Sequence, residues 1–131
     1  MNRSRLLVLA AALAALAACG RTSGSDLVVG GLYSVHAEKD FWVVKILAVG
    51  DDIVHVRVYK NTFATRPRTV DPASLSMGSI KEKDGFGMGH LPLGRSAFDA
   101  WKPEFIMETK IVEDELEGYR AWKGSGGGTF K

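Results

Sequence analysis

Phe41-Trp42-Val43-Val44-Lys45-Ile46-Leu47-Ala48-Val49, then Gly50-Asp51-Asp52, then Ile53-Val54-His55-Val56-Arg57-Val58-Tyr59 is the stretch on which the fold turns. Both flanking runs are rich in aromatic and β-branched residues, which fit a pleated surface. The Gly-Asp-Asp between them has turn composition. A period of two puts Trp42, Val44, Ile46 and Ala48 on one face, and Phe41, Val43, Lys45 and Leu47 on the other. In the second run Val54, Val56 and Val58 point one way, and His55, Arg57 and Tyr59 the other. The expectation is a β-hairpin with an apolar face and a wet, basic-polar face. On that register Val56→Asp is costly, because it buries a charge without a partner, whereas Arg57→Asp is benign.

Outward from the hairpin the signals thin. Residues 33–36 read as a preceding strand, joined through the turn Glu38-Lys39-Asp40. Residues 61–72 carry two prolines and read mostly as loop, with one helical turn at Asp71-Pro72-Ala73-Ser74-Leu75. Residues 78–94 hold glycines at 78, 85, 87, 89 and 94, which predicts a loop or an irregular hairpin. Residues 96–101 suit a short helix halted by Pro103, and 105–112 a late strand. Acidic Glu113, Asp114 and Glu115 open a final helix over 113–123, where the helix dipole favours them. Val112, Leu116 and Tyr119 share one side of it, and Gly124 ends it. The Gly-rich residues 124–131 predict a mobile tail. The fold class expected is mainly β with minor α: a small half-open barrel over 27–123 with a C-terminal helix.

Gly31-Leu32-Tyr33-Ser34-Val35, Trp42-Val43-Val44-Lys45-Ile46-Leu47 and Val54-His55-Val56-Arg57-Val58-Tyr59 resemble the first strands of an SH3-like barrel of the Tudor or agenet type. About 30 residues carry the likeness, and residues beyond Gly78 depart from it. The layout is similar to that of uncharacterised bacterial proteins, for which it implies no activity. Barrels of that type often bind at an aromatic cage, for which Tyr33, Phe41, Trp42, Tyr59 and Phe63 are the available rings. Burial in the core is the competing use of the same rings.

The N-terminus speaks about address. Two arginines precede residues 6–18, an apolar run of 13 residues. Spanning a bilayer takes roughly 20, so the pattern is that of a secretory signal over 1–18. Its end, Leu16-Ala17-Ala18-Cys19, resembles the lipobox of bacterial lipoproteins. The resemblance implies cleavage between Ala18 and Cys19, diacylglycerol on the Cys19 sulfur and an acylated (palmitate-type) amine. Stable anchoring takes at least two chains, each buried CH₂ adding about 0.8 kcal/mol. Residues 19–26 then form the lipidated Cys19 and a polar tether. Gly20, rather than Asp, leans toward an outer membrane, facing the periplasm.

The full chain has 17 basic and 15 acidic side chains. Removal of Arg3 and Arg5 with the signal leaves 15 of each, which argues against a nucleic-acid partner. Cys19 is the lone cysteine, so no internal disulfide can form. Gly85-Phe86-Gly87-Met88-Gly89-His90 fits neither nucleotide-binding glycine pattern and is better explained by close backbone approach. His36, His55 and His90 are spaced like no compact metal set. No serine stands in a recognised nucleophile elbow. These readings favour a non-enzymatic, lipid-anchored envelope module without metal or cofactor, holding an envelope protein or cell-wall partner. Its binding surface is expected at Phe41, Lys45, Arg57 and Tyr59. The alternative is a small envelope enzyme or ligand sensor built on the Gly-rich loop around His90.

Overall fold

A computed structural model describes residues 26–79, 81 and 85–130. The signal segment, the Ala18/Cys19 cleavage site and Cys19 itself lie outside the described residues. The chain is mainly β, as expected. Five strands, β1 (Gly31–Ala37), β2 (Asp40–Val49), β3 (Ile53–Phe63), β4 (Met88–Gly94) and β5 (Glu104–Glu108), form one antiparallel sheet. Their order is β4-β3-β2-β1-β5, and the sheet is half-open rather than closed into a full barrel. Two short helices follow late in the chain, α1 (Arg95–Ala100) and α2 (Glu117–Gly124). Single 3-10 turns span Pro72–Ser74 and Glu113–Leu116. The first of these is the turn expected at Asp71-Pro72, capped by Asp71 Oδ1, which accepts from Ala73 N at 3.0 Å.

At its centre the hairpin keeps the expected alternation of faces, with Val44 opposite Val58, Lys45 opposite Arg57 and Ile46 opposite Val56. The principal core lies on the apolar face. Tyr33, Val35, Val44, Ile46, Val54, Val56, Leu91 and Leu93 pack there under Phe98 of α1. Phe98 and Val56 are wholly buried, so Val56→Asp remains a costly change.

The opposite face is not wet. Leu32, Val43 and Tyr59 make a second cluster there, covered by Leu75, Met77 and Ile106. Beside that cluster, Lys45 is 5% and His55 3% exposed. The loop after β3 and the segment 109–124 supply the cover, so the sheet is sandwiched rather than half-solvated. Arg57→Asp is therefore no longer benign: it would set a second carboxylate against Glu115, whose Oε2 lies 3.8 Å from Arg57 Nε. We expect it to cost about 2–4 kcal/mol, within the range for a broken, partly buried ion pair. Urea titrations against wild type check this.

Two further expectations are corrected. Residues 88–94, expected in a loop or an irregular hairpin, form strand β4 on β3. Pro92 is compatible with that assignment because β4 is an edge. Its carbonyl faces outward, accepting from Phe130 N at 2.9 Å, so the missing Pro N–H lies on the outer side. The tail is the second correction. Gly94 N donates to Phe130 O at 2.8 Å, and Trp122 Nε1 donates to Gly128 O at 2.6 Å. Residues 125–130 thus strap back onto β4. Deleting 125–131 is expected to cost about 1–3 kcal/mol, as roughly 1 kcal/mol per lost hydrogen bond suggests. A thermal melt unchanged by the deletion would show that the strap carries no stability.

Candidate functional site

The covered face brings together the charged residues of the hairpin. Lys45 on β2 and Arg57 on β3 are cross-strand neighbours on one side of the sheet. The 3-10 turn Glu113–Leu116 delivers Glu115 to both. Lys45 Nζ donates to Glu115 Oε1 at 2.8 Å, to Oε2 at 3.1 Å and to Lys110 O at 2.6 Å. Val112 N adds a hydrogen bond to Glu115 Oε1 at 2.9 Å. Burial works to raise the Glu115 carboxyl. The Lys45 and Val112 hydrogen bonds, with the charges of Lys45 and Arg57, outweigh it and hold the group below its ordinary value. Tyr59, next on the same side, is pushed up by burial and by the Glu115 charge, while Arg57 opposes through its charge and a side-chain hydrogen bond.

These residues border an open cavity of about 480 Å³. Its walls come from Leu32, Lys45, Arg57 and Tyr59 of the sheet, Pro72 and Leu75 of the covering loop, and the segment 109–115. Of the four residues expected at a binding surface, Lys45, Arg57 and Tyr59 meet here. Their exposure is corrected: Lys45 and Tyr59 are buried and Arg57 is half-buried, because Glu115 and the covering loop lie over them. Phe41 is elsewhere. It stacks on His36 at a centroid distance of 4.4 Å with the Arg66 guanidinium 4.9 Å from its ring.

No aromatic cage forms from the expected rings. Tyr33 is buried edge-on between Phe98 and Phe105. Trp42 lines an apolar groove with Trp101, Phe86 and Met88. Phe63 lies against the second cluster.

The histidines divide similarly. His36 is with Phe41, but His55 and His90 pair across β3 and β4, Nδ1 to Nε2 at 2.9 Å. Tyr119 and Trp122 of α2 cover the pair edge-on, with ring centroids 4.7 and 4.4 Å from His55. Gly118 allows this close fit, since a Cβ there would stand 2.7 Å from His90 Cβ. Burial, and then the neighbouring His90, lower His55 to about 4; burial lowers His90 as well. Among the described residues no group of three or more His, Cys, Asp or Glu is placed to hold a metal.

The Gly-rich segment has a packing use. Gly87 N donates to Met77 O at 2.7 Å, and a Cβ on Gly87 would collide with Val58 O. Glu115 is the site residue that the sequence did not single out. Its one signal was an acid three residues after Val112, within reach of a helix-start amide. No family model matches the chain, and no curated protein or solved structure matches it either.

Proposed function

We propose that this chain is a non-enzymatic binding module, tethered to the cell envelope by lipid on Cys19, that holds its partner at the Lys45–Arg57–Tyr59 cavity. The observation that carries the reading is the convergence of those three side chains from adjacent strands on one open cavity. Fixed charge suits capture better than proton transfer. Glu115 is held ionised by Lys45, and Tyr59 is held neutral, so neither is set to exchange a proton near pH 7. The anchor is supported by the match of Leu16-Ala17-Ala18-Cys19 to a lipobox, following a basic and then apolar leader.

The anchor and the cavity are tested separately. Cys19→Ser is expected to abolish lipid labelling and membrane retention. Mass spectrometry of a mature chain with an unmodified Cys19 would refute the anchor. For the cavity, Val112 is well placed, since it is 58% exposed and stands at the rim. Val112→Trp should occlude the mouth with little effect on folding. We expect it to abolish recovery of the partner crosslinked to the wild-type chain in whole envelopes, with circular dichroism unchanged. Undiminished recovery would refute the cavity as the capture site.

A further inference from the structure

The histidine pair and the C-terminal strap share one residue, Trp122. On one side its ring covers His55, with centroids 4.4 Å apart. On the other its Nε1 donates to Gly128 O at 2.6 Å, and Gly127 lies so close that a Cβ there would stand 2.8 Å from Trp122 Cζ2. Gly126 and Gly127, with φ of +92° and +73°, turn the chain back toward β4. The strap ends on two ladder bonds, Phe130 N to Pro92 O and Gly94 N to Phe130 O, while the Phe130 side chain stays exposed. No residue of α2 is buried. The cover over the histidines is therefore thin, and segments with few buried contacts open at lower cost than the whole fold.

The pair beneath that cover accommodates added protons poorly. His55 Nδ1 and His90 Nε2 share one hydrogen at 2.9 Å, so charging both rings sets two N–H groups against each other. Tyr119 and Trp122 meet His55 with aromatic rings, and the indole N–H is itself a donor. Charged groups stand around the pair on each element packed there. Arg57 of β3, Asp114 and Glu115 of the 3-10 turn and Glu117 of α2 border the cavity beside His90. Lys123 Nζ lies 5.9 Å from the Tyr119 ring centroid. Glu115 is engaged by Lys45, and burial prevails at both imidazoles, favouring their neutral forms.

We infer that His55, His90 and Trp122 form a proton-operated latch: acid releases α2 and the strap together and uncovers the outer side of β4, while the sheet stays folded. Histidine is the side chain whose charge changes in this range, and buried histidine clusters are suited to such switching. In the closed form His55 refuses the proton until about pH 4, whereas in the open form, with the ring in water, it accepts one at 6.5. The open fraction therefore rises as the pH falls from 6.5 toward 4 and is constant above that interval. The uncovered groups are a donor, Gly94 N, and an acceptor, Pro92 O, with which an edge strand receives another extended segment.

Hydrogen exchange on the full chain, purified in detergent and followed by NMR, tests the latch. The reporters are the Gly94 and Phe130 amides and the Trp122 indole N–H, read as protection factors so that the intrinsic pH dependence of exchange cancels. All three are expected to lose protection about 30-fold between pH 7.5 and 5, and to stay less protected than the central amides of β2 and β3. The double variant His55→Gln/His90→Gln should abolish that loss. Trp122→Phe keeps a ring over His55 but loses the bond to Gly128. Its Gly94 and Phe130 amides should be less protected already at pH 7.5 and change little with acid, which serves if the histidine variant fails to fold. Protection at Gly94 and Phe130 that does not vary with pH overturns the inference, because it separates the strap from the histidines. Protection equal to that of central β2 and β3 overturns it too, because the strap then opens only with the whole fold. A full acid response kept in the histidine variant or in Trp122→Phe does the same, by removing the pair or the indole as the link.

Discussion

Glu115→Leu is expected to destabilise the chain by about 3–5 kcal/mol, the usual cost of leaving one charge of a buried pair without its partner. The side chain of Lys45 is 6% exposed and that of Glu115 12%. With the carboxylate gone, the Lys45 ammonium keeps Lys110 O as an acceptor and loses its paired counter-charge. Val112 N loses its acceptor in the same step. The double variant Lys45→Met/Glu115→Leu should recover most of the loss, since isosteric apolar pairs often replace buried ion pairs at little cost. Urea unfolding of the two singles and the double supplies the cycle. A loss below about 1 kcal/mol in Glu115→Leu, the range of exposed pairs, would show that water reaches Lys45 freely.

Acid is expected to weaken the fold in a window set by His55. Its folded value is lowered to about 4 from 6.5. Above pH 6.5 neither the folded nor the unfolded chain binds the proton, so His55 adds no pH dependence. As the pH falls through 6.5, the unfolded chain takes up a proton that the folded chain refuses until about pH 4. Stability therefore drops across that interval and levels below it. At 1.36 kcal/mol per unit the loss approaches about 3 kcal/mol. His90, lowered in the same direction, contributes with the same sign. The groups near the pair include Tyr119 and Trp122 of α2. The cavity beside His90 is bordered by Arg57, Asp114, Glu115 and Glu117. Glu115 acts at lower pH, because a carboxyl held below its ordinary value loses its contribution only as the pH falls under the ordinary carboxylate range. Urea midpoints at pH 7.5 and 5 isolate the histidines. A His55→Gln variant should lose most of the difference between them, and an unchanged difference would assign it to other groups.

What the sequence made legible was local. β2 and β3 announce themselves by a period of two and by β-branched residues, and the Gly-Asp-Asp turn fixes their pairing. α1 and α2 carry their stop signals nearby, Pro103 for one and Gly124 for the other. β4 has no such signature. Met88-Gly89-His90-Leu91-Pro92-Leu93-Gly94 is a strand because β3 offers it a ladder, not because of its own composition. The polar face of the hairpin was misleading for a related reason. His55 and Arg57 alternate with valines just as solvated residues would. Their cover comes from Glu115 and His90, and Glu115 lies 70 residues from its Lys45 partner. The period of two reports that a side chain faces away from the valine core. It does not report whether water or another layer waits there. Lys45, Arg57 and Tyr59 come together because the hairpin alone sets their side. Phe41 stands apart from them because it lies at the far end of β2, where His36 and Arg66 pack on it.

The strap made by Phe130 also bears on assembly. A sheet whose two outer strands are both free can stack copy upon copy without end, each new molecule presenting the same free strand as the last. Here Phe130 occupies the outer side of β4 at Pro92 and Gly94, while among the described residues no strand pairs beyond β5. With β4 covered, β5 is the outer strand among the described residues that keeps an unpaired side. Proteolytic loss of the last few residues would free the second edge and permit a head-to-tail contact, β4 on β5, which does not close. A nick in this short tail would thus leave the sheet with a second exposed strand edge.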